Sequence, residues 1–532
     1  FMINDWYLRN DFKDGKYAGG GRIAYVKLFS IIAFFILLLA CINFMNLSTA
    51  RATQRSREVG VRKVTGAGRM QLIKQFISES LLFTGLAGII AVALTWLILP
   101  YFNNFLRKNI VIDYTDISTI GVFISIIIVT GLLAGSYPAF VLSSFKPVKV
   151  LKSVFIPSSS YTLSVRKVLV VTQFAISVML IAGTLVISQQ VHYVQNKKLG
   201  YSKENLIWFS NNISIDKHEA AINEFKKVPG VINASQASVT FTYANNRSEN
   251  VQWPGKTEGQ DVFFNFIAGG NELVPTMGLQ IKEGRDFIAG NKADTNSVLL
   301  NEEAVKRMGI KNPVGMQIQL YSGKVTIAGV VKDFHLESLH NPIAPTIIEC
   351  RPDWTWLMYV RTDGKNTGQT LSEIEKVYKS FAPGLVFDYN FQDKEYERLY
   401  RSESQIGTLV NWFAFFAIFI SCLGLLGLTA FTVERKAKEF GIRKVLGASV
   451  TKIVLLASKQ FIFLVLIAVI IAVIPAYFFM KDWLQQYAYR VNLDWWIFIT
   501  AGAAAIFIAI ITISFQAIKA AFANPIKSLR TE

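Results

Sequence analysis

Seven stretches of this 532-residue sequence are each long and apolar enough to cross a lipid bilayer as a helix. Crossing the hydrocarbon core takes about 20 apolar residues, because every backbone N–H and C=O must be paired within the segment. The runs lie at about 23–48, 75–100, 117–142, 168–190, 409–433, 453–480 and 495–517. Between the fourth and fifth, residues 191–408 are too polar to span and too long for a loop, so a separately folded domain is expected there. Composition agrees. Charged residues are 17% of the chain, against about 25% in a soluble protein.

The net charge of +18 is unevenly placed. Residues 191–408 hold 24 Lys/Arg and 25 Asp/Glu, so the basic excess lies beside the apolar runs. Segments 51–74, 143–167, 434–452 and 516–532 are basic, whereas 101–116 and 481–494 each carry two basic and two acidic residues. Basic and balanced segments alternate along all seven spans. By the positive-inside rule the basic ones are cytoplasmic, and 191–408 lies outside. No base-reading motif accompanies this charge, which argues against nucleic acid as a partner. The expected fold class is a multi-pass α-helical membrane protein with an extracytoplasmic α+β domain. In that domain, Val325–Val331 reads as a strand, and 216–227, 301–307 and 371–380 read as helices.

Chemistry-bearing patterns are sparse. Cys41 and Cys422 sit in apolar runs and Cys350 is alone, so neither a metal site nor a disulfide framework is expected. Asp333, His335 and His340 form only a weak Asp-x-His pattern, read as a polar turn after a strand. No G-x-x-x-x-G-K-[ST] occurs; Gly323-Lys324 is followed by Val325 and lacks the upstream glycine. The spans hold almost no ionisable residue, and Glu79 and Lys459 lie near helix ends. That argues against an ion-coupled carrier, which keeps such groups in the bilayer for transport.

Self-comparison is more informative. Shifted by 381 residues, 33–67 aligns with 414–448 without a gap and with twelve identities among 35 positions. Arg57-Glu58-Val59-Gly60-Val61-Arg62-Lys63-Val64-Thr65-Gly66-Ala67 is matched by Lys438-Glu439-Phe440-Gly441-Ile442-Arg443-Lys444-Val445-Leu446-Gly447-Ala448. A second repeat pairs Phe145–Lys152 with Ala523–Arg530. The chain therefore reads as two copies of one unit in the same orientation, related by a pseudo-twofold axis along the membrane normal. The first copy has lost its first span and most of its external domain, so eight spans are expected in an intact chain.

The repeated loop is spaced for a short amphipathic helix ended by Gly66. Val59, Val61 and Val64 are expected to face the bilayer or the bundle, and Arg57, Glu58, Arg62 and Lys63 water or a partner. Two readings stand at this point. One is a plain basic anchor, which needs Lys and Arg at arbitrary spacing. The other is a stiff lever that a cytoplasmic protein pushes, which explains why one Glu, two Gly and an Arg-Lys pair keep register in both halves.

The two E-x-G-[IV]-R-K-V-x-G-A segments resemble the signature of the FtsX-like permease family, which includes MacB. Tyr137-Pro138-Ala139 through Pro147, and Asn524-Pro525-Ile526, resemble the family's closing pattern, although Gln516 stands where Pro138 would be. Glu283-Gly284-Arg285-Asp286-Phe287, Leu299-Leu300-Asn301-Glu302 and Ile327–His335 resemble the MacB-type periplasmic core domain. The resemblance implies the tail of a first external domain at 1–22, a permease domain at 23–152, and a linker and span at 153–190. A periplasmic core domain at 191–408 and a second permease domain at 409–532 would follow. It implies a bacterial inner-membrane permease that binds no cofactor, with ATP bound by a cytoplasmic ABC ATPase dimer. A periplasmic adaptor or outer-membrane component and membrane lipid would be further partners. Coupling to the ATPase would fall to Arg57, Glu58, Gly60, Arg62, Lys63 and Gly66, and to Lys438, Glu439, Gly441, Arg443, Lys444 and Gly447. The implied work is export or extraction of a peptide, drug-like or lipoprotein substrate. The alternatives are an FtsX-like regulator of an envelope enzyme, or a receptor or scaffold with no ATPase.

Overall fold

A computed structural model of the protein describes residues 12–13, 16–17, 22–50, 52–144, 160–243, 246–257, 259–288, 290–321 and 323–521. Its helices are α1 (Arg22–Ala50), α2 (Ala52–Val64), α3 (Arg69–Leu106), α4 (Ile117–Ser143), α5 (Ser160–Asn196), α6 (His218–Lys227), α7 (Leu273–Met277), α8 (Glu302–Met308), α9 (Thr367–Phe381), α10 (Gln392–Leu399), α11 (Arg401–Arg435), α12 (Ala437–Val445), α13 (Val450–Leu484) and α14 (Trp495–Ala521). The chain divides into two compact units. One comprises Phe1–Ser188, Gln405–Trp483 and Asn492–Glu532; the other comprises Gln189–Ser404 and Leu484–Val491.

Seven helices of the first unit are long and apolar enough to cross a membrane among the described residues: α1, α3, α4, α5, α11, α13 and α14. Their number and positions agree with the apolar runs. Side chains at the ends set the boundaries. Asp116 accepts a 2.9 Å hydrogen bond from the Thr119 N–H and caps α4. Pro100, Pro138 and Pro475 are accommodated inside α3, α4 and α13.

Packing in this unit relies on small residues, as expected where lipid tails remove the hydrophobic incentive for helices to associate. Ala468, Ala472 and Ala476 recur every fourth residue on α13, and Ala501, Ala505 and Ala509 do so on α14; all six are buried in one cluster. Glycines do the same for α3 and α4. A Cβ on Gly135 would stand 2.6 Å from Ser80 Oγ, and one on Gly131 2.7 Å from Thr84 Oγ1. Phe34, Phe415 and Phe416 are exposed, whereas Phe35 packs on the cluster of Leu39 of α1, Ile176 of α5 and Ala417 of α11.

The second unit is built on an eleven-stranded mixed sheet. Its strands are β1 (Leu206–Ser210), β2 (Val231–Ala237), β3 (Arg247–Ser248), β4 (Phe264–Gly269), β5 (Ile281–Gly284), β6 (Ser297–Asn301), β7 (Gln317–Leu320), β8 (Gly323–Val331), β9 (Thr346–Cys350), β10 (Leu357–Thr362) and β11 (Tyr389–Phe391). The order is β11-β1-β10-β2-β4-β9-β6-β8-β5, with β3 on β4 and β7 on β8. Helices α6 and α9 bury Ala221, Phe225, Ile374 and Tyr378 against Phe209, Ala234 and Val360 of the sheet. The expected strand at 325–331 is the core of β8, and the three expected helices are α6, α8 and α9.

One segment departs from the sequence reading. Residues 484–491 lie in the balanced loop between the last two spans, yet they cluster with the sheet unit. Their hydrogen-bond partners lie far away in sequence, and nothing in their composition marks them.

Candidate functional site

The two repeated loops fold alike. Helices α2 and α12 occupy positions related by the 381-residue shift, and both stop at a glycine in left-handed conformation, Gly66 at φ 100° and Gly447 at φ 88°. The closing hydrogen bonds also match. The Ala67 N–H donates to Arg62 O and the Ala448 N–H to Arg443 O, both at 2.9 Å, while Gly66 and Gly447 donate to Lys63 O and Lys444 O. This is the Schellman arrangement, and it explains why glycine stands at that position in both copies.

Each helix is anchored by one apolar side chain at the same repeat position. Val59 is 2% exposed and packs on Leu72, Ile73 and Phe76 of α3 and on Ala139 and Leu142 of α4. Phe440 is 5% exposed and packs on Val433. Val61 and Val64 do not share that face; both are exposed, as is Ile442. The reason is angular. At 3.6 residues per turn, Val61 lies about 200° and Val64 about 140° around the helix from Val59. Of the two faces expected for these valines, the bundle takes Val59, and Val61 and Val64 stand on the other.

The charged positions divide in function. Lys63 Nζ donates a 2.7 Å bond to Ser143 O and straps α2 to the end of α4. Burial, then the nearby Arg69 charge, lowers its pKa from the ordinary lysine value. Glu58 pairs with Arg62 at 2.6 Å and Glu439 with Arg443 at 2.8 Å, each one turn apart and each about half exposed. Glu preceding Arg by four residues is the favourable orientation on a helix, worth about 0.2–0.5 kcal/mol per pair. Arg62 also donates to Gln75 Oε1 at 2.6 Å. Gly60 is buried, and Gly441 lies within α12. Arg57 and Lys438 are on these helices, and their side chains lie outside the described residues, as do both closing repeats at 145–152 and 523–530. Each loop thus presents a fixed ion pair beside exposed aliphatic groups.

Inside the bundle lies a polar seam that hydropathy does not show. Asn43 of α1 meets Gly424 of α11, its own equivalent under the 381-residue shift; a Cβ there would stand 2.8 Å from Asn43 Oδ1 and 2.9 Å from Gln173 Nε2. Ser177 and Ser421 share a 2.8 Å hydrogen bond nearby. Contact between equivalent residues locates the pseudo-twofold relation where α1 and α11 cross. The signal available in sequence was the Asn-to-Gly exchange at 43/424 and 46/427, which removes a side chain from one copy where the other needs room.

In the sheet unit, Asp333 Oδ1 accepts from the Glu303 N–H at 2.8 Å while Glu302 Oε2 accepts from the Asp333 N–H at 3.1 Å. Asp333 therefore helps to cap α8. Among the described residues no three His, Cys, Asp or Glu side chains gather as a metal site.

The FtsX-like permease C-terminal family matches residues 30–147 and 411–525, and the MacB-like periplasmic core domain family matches 168–377. Relatives include the macrolide export ATP-binding/permease protein MacB of Psychrobacter cryohalolentis. It is 27% identical over 148 residues, 28% of this chain and 22% of that protein. The pyoverdine export ATP-binding/permease protein PvdT of Pseudomonas syringae pv. tomato is 32% identical over 125 residues, 23% of this chain and 18% of that protein. The chain thus spans less than a quarter of the length of these relatives. Among solved structures, the periplasmic region of MacB from Actinobacillus actinomycetemcomitans aligns at 14% identity over 38% of this chain and 97% of that one, with a TM-score of 0.29.

Proposed function

The chain belongs to the FtsX-like, MacB-type family of ABC transporter permeases, and on that premise we propose that it transmits the work of a cytoplasmic ABC ATPase, bound at α2 and α12, to the extracytoplasmic sheet unit. The observation that supports this reading most is that two loops 381 positions apart hold the same cap, the same buried anchor position and the same exposed Glu–Arg pair. A plain basic anchor does not require any of the three. Two equivalent surfaces suit a dimeric partner. ATP is bound by that partner, since no phosphate-cradling G-x-x-x-x-G-K-[ST] loop occurs among these 532 residues. The site is the bacterial inner membrane, with the basic loops inside. Among the described residues the bundle holds no row of ionisable groups, which favours coupling by motion over coupling by an ion gradient. The work is export or extraction of a peptide, drug-like or lipoprotein substrate.

The test separates a partner-reading surface from an intrahelical brace. Arg62→Glu together with Arg443→Glu is expected to lower recovery of the ATPase in a pull-down at least about tenfold, with membrane insertion intact. Adding Glu58→Arg and Glu439→Arg restores both intrahelical pairs with reversed polarity. If the ATPase reads the surface, recovery stays low. Undiminished recovery in the double reversal, or full recovery on restoring the pairs, would refute the coupling assignment.

A further inference from the structure

Residues 484–491 join α13 to α14, and they are tied to the sheet unit by a small set of hydrogen bonds. The Ala488 and Tyr489 N–H groups donate to His340 O and Leu339 O at 3.2 and 3.3 Å. Gln190 accepts from the Val491 N–H at 2.9 Å and donates to Tyr489 O at 2.9 Å. His340 stands at the centre. Its Nδ1 is 3.2 Å from Gln486 O, its Nε2 is 3.2 Å from Glu403 Oε1, and its ring stacks on Tyr487 with centroids 4.2 Å apart.

Both hydrogen-bond neighbours of His340 are acceptors. A peptide carbonyl carries no proton to give, and neither does an ionised carboxylate, whose other oxygen here accepts from Ser402 Oγ at 3.0 Å. Neutral imidazole has one N–H and one bare nitrogen, so it would set a lone pair against a lone pair on one side. Only the imidazolium, with two N–H groups, satisfies both contacts. We propose that His340 is a protonation-dependent clasp. When charged, it binds Gln486 of the loop and Glu403 at the start of α11 together on the sheet unit; when neutral, it lets one of them go. The device adds pH control to the anchoring of residues 484–491 on the sheet unit, and it holds whether or not the chain works with an ATPase.

The surroundings agree. Burial opposes the charge on His340, but the Glu403 hydrogen bond, the Gln486 carbonyl and the Glu403 charge outweigh it, so the ring's pKa is raised from its ordinary value. Other groups facing the clasp are Tyr400, which accepts from the Leu339 N–H at 2.7 Å, and Glu337, which is paired with Arg247. On the loop side Tyr489 lies against His335 at 4.9 Å and under Lys197 Nζ at 4.5 Å. Burial, then the Lys197 charge, pushes His335 down to about 4, so it stays neutral where His340 titrates. A histidine with a raised pKa contributes clasp stability that is fully present below the ordinary value of about 6.5. That contribution is lost as pH rises through the raised one.

The experiment uses the full chain in lipid nanodiscs. Hydrogen exchange of the 484–491 amides, corrected for the intrinsic rate, is followed from about pH 6 to about pH 9, and the ring 15N shifts of its four histidines are recorded alongside. One ring is expected to be imidazolium at the low end and to lose its proton above the ordinary histidine range. Loop protection is expected to fall about tenfold for each unit by which the pKa is raised. Glu403→Gln keeps an acceptor but removes the charge, and should move both transitions together to lower pH. His340→Gln should abolish the step. A set of rings none of which keeps its proton above the ordinary histidine range, pH-independent protection in the wild-type chain, or a step persisting in His340→Gln would each overturn the proposal.

Discussion

Arg285→Ala is expected to cost the sheet unit about 3 kcal/mol. Arg285 grips Asp294 with two hydrogen bonds, at 2.6 and 3.0 Å, and the Asp294 side chain is 0% exposed. Truncating the arginine leaves a buried carboxylate with little but the Ile288 N–H, 2.7 Å away, to hold its charge. Removing one partner of a buried pair costs about 3–5 kcal/mol. The lower end applies because the guanidinium reaches water and the Ile288 bond survives. The Arg285 hydrogen bond, working against burial, holds Asp294 below its usual pKa. That contribution is present above the ordinary carboxylate value of about 3.9 and is lost as pH falls through the lowered one. Urea-dependent proteolysis of the sheet unit in the full chain measures both effects. The variant should show the lower midpoint and a flatter acid limb, and an unchanged midpoint would mean that Asp294 finds its stability elsewhere.

Gly284→Ala should cost about 2–5 kcal/mol, from two separable sources. Gly284 sits at φ 75° opposite Gly329 in the β5–β8 pair. A side chain in the left-handed region costs about 1–2 kcal/mol. A Cβ there would also overlap Ala328 O, stand 2.7 Å from Gly329 Cα and 3.1 Å from a Val314 methyl. Forcing atoms against backbone adds about 1–3 kcal/mol, since a strand pair cannot yield as a flexible side chain does. Gly309, in the same sheet unit, supplies the control. It is at φ 69° with nothing within 4 Å of an added Cβ. Gly309→Ala should therefore show the conformational cost alone. Equal losses at the two positions in the same proteolysis assay would remove the steric half of the argument.

Both predictions concern the Glu283-Gly284-Arg285-Asp286-Phe287 stretch, whose resemblance to a periplasmic core domain was visible in sequence. Its physical reason was not. The glycine admits β8 against β5, and the arginine reaches forward nine residues to neutralise a buried acid. The repeated loop was likewise legible as a capped basic helix. Glycine past the last basic turn and Glu four residues before Arg are local signals, and local geometry honours them. Which valine turns inward was left open between bilayer and bundle, and the angle around the helix decides it for Val59.

By itself the sequence determined the seven membrane helices, the polar domain between the fourth and fifth, and the doubled plan of the bundle. These follow from backbone pairing within a segment and from identity at a fixed shift, neither of which needs a distant partner. Only the tertiary structure decided that Asn43 rests on its own repeat equivalent, and that His340 meets residues 63 and 146 positions away. A histidine's charge depends on what stands opposite each of its nitrogens, and that is settled by where remote segments of the chain come to lie.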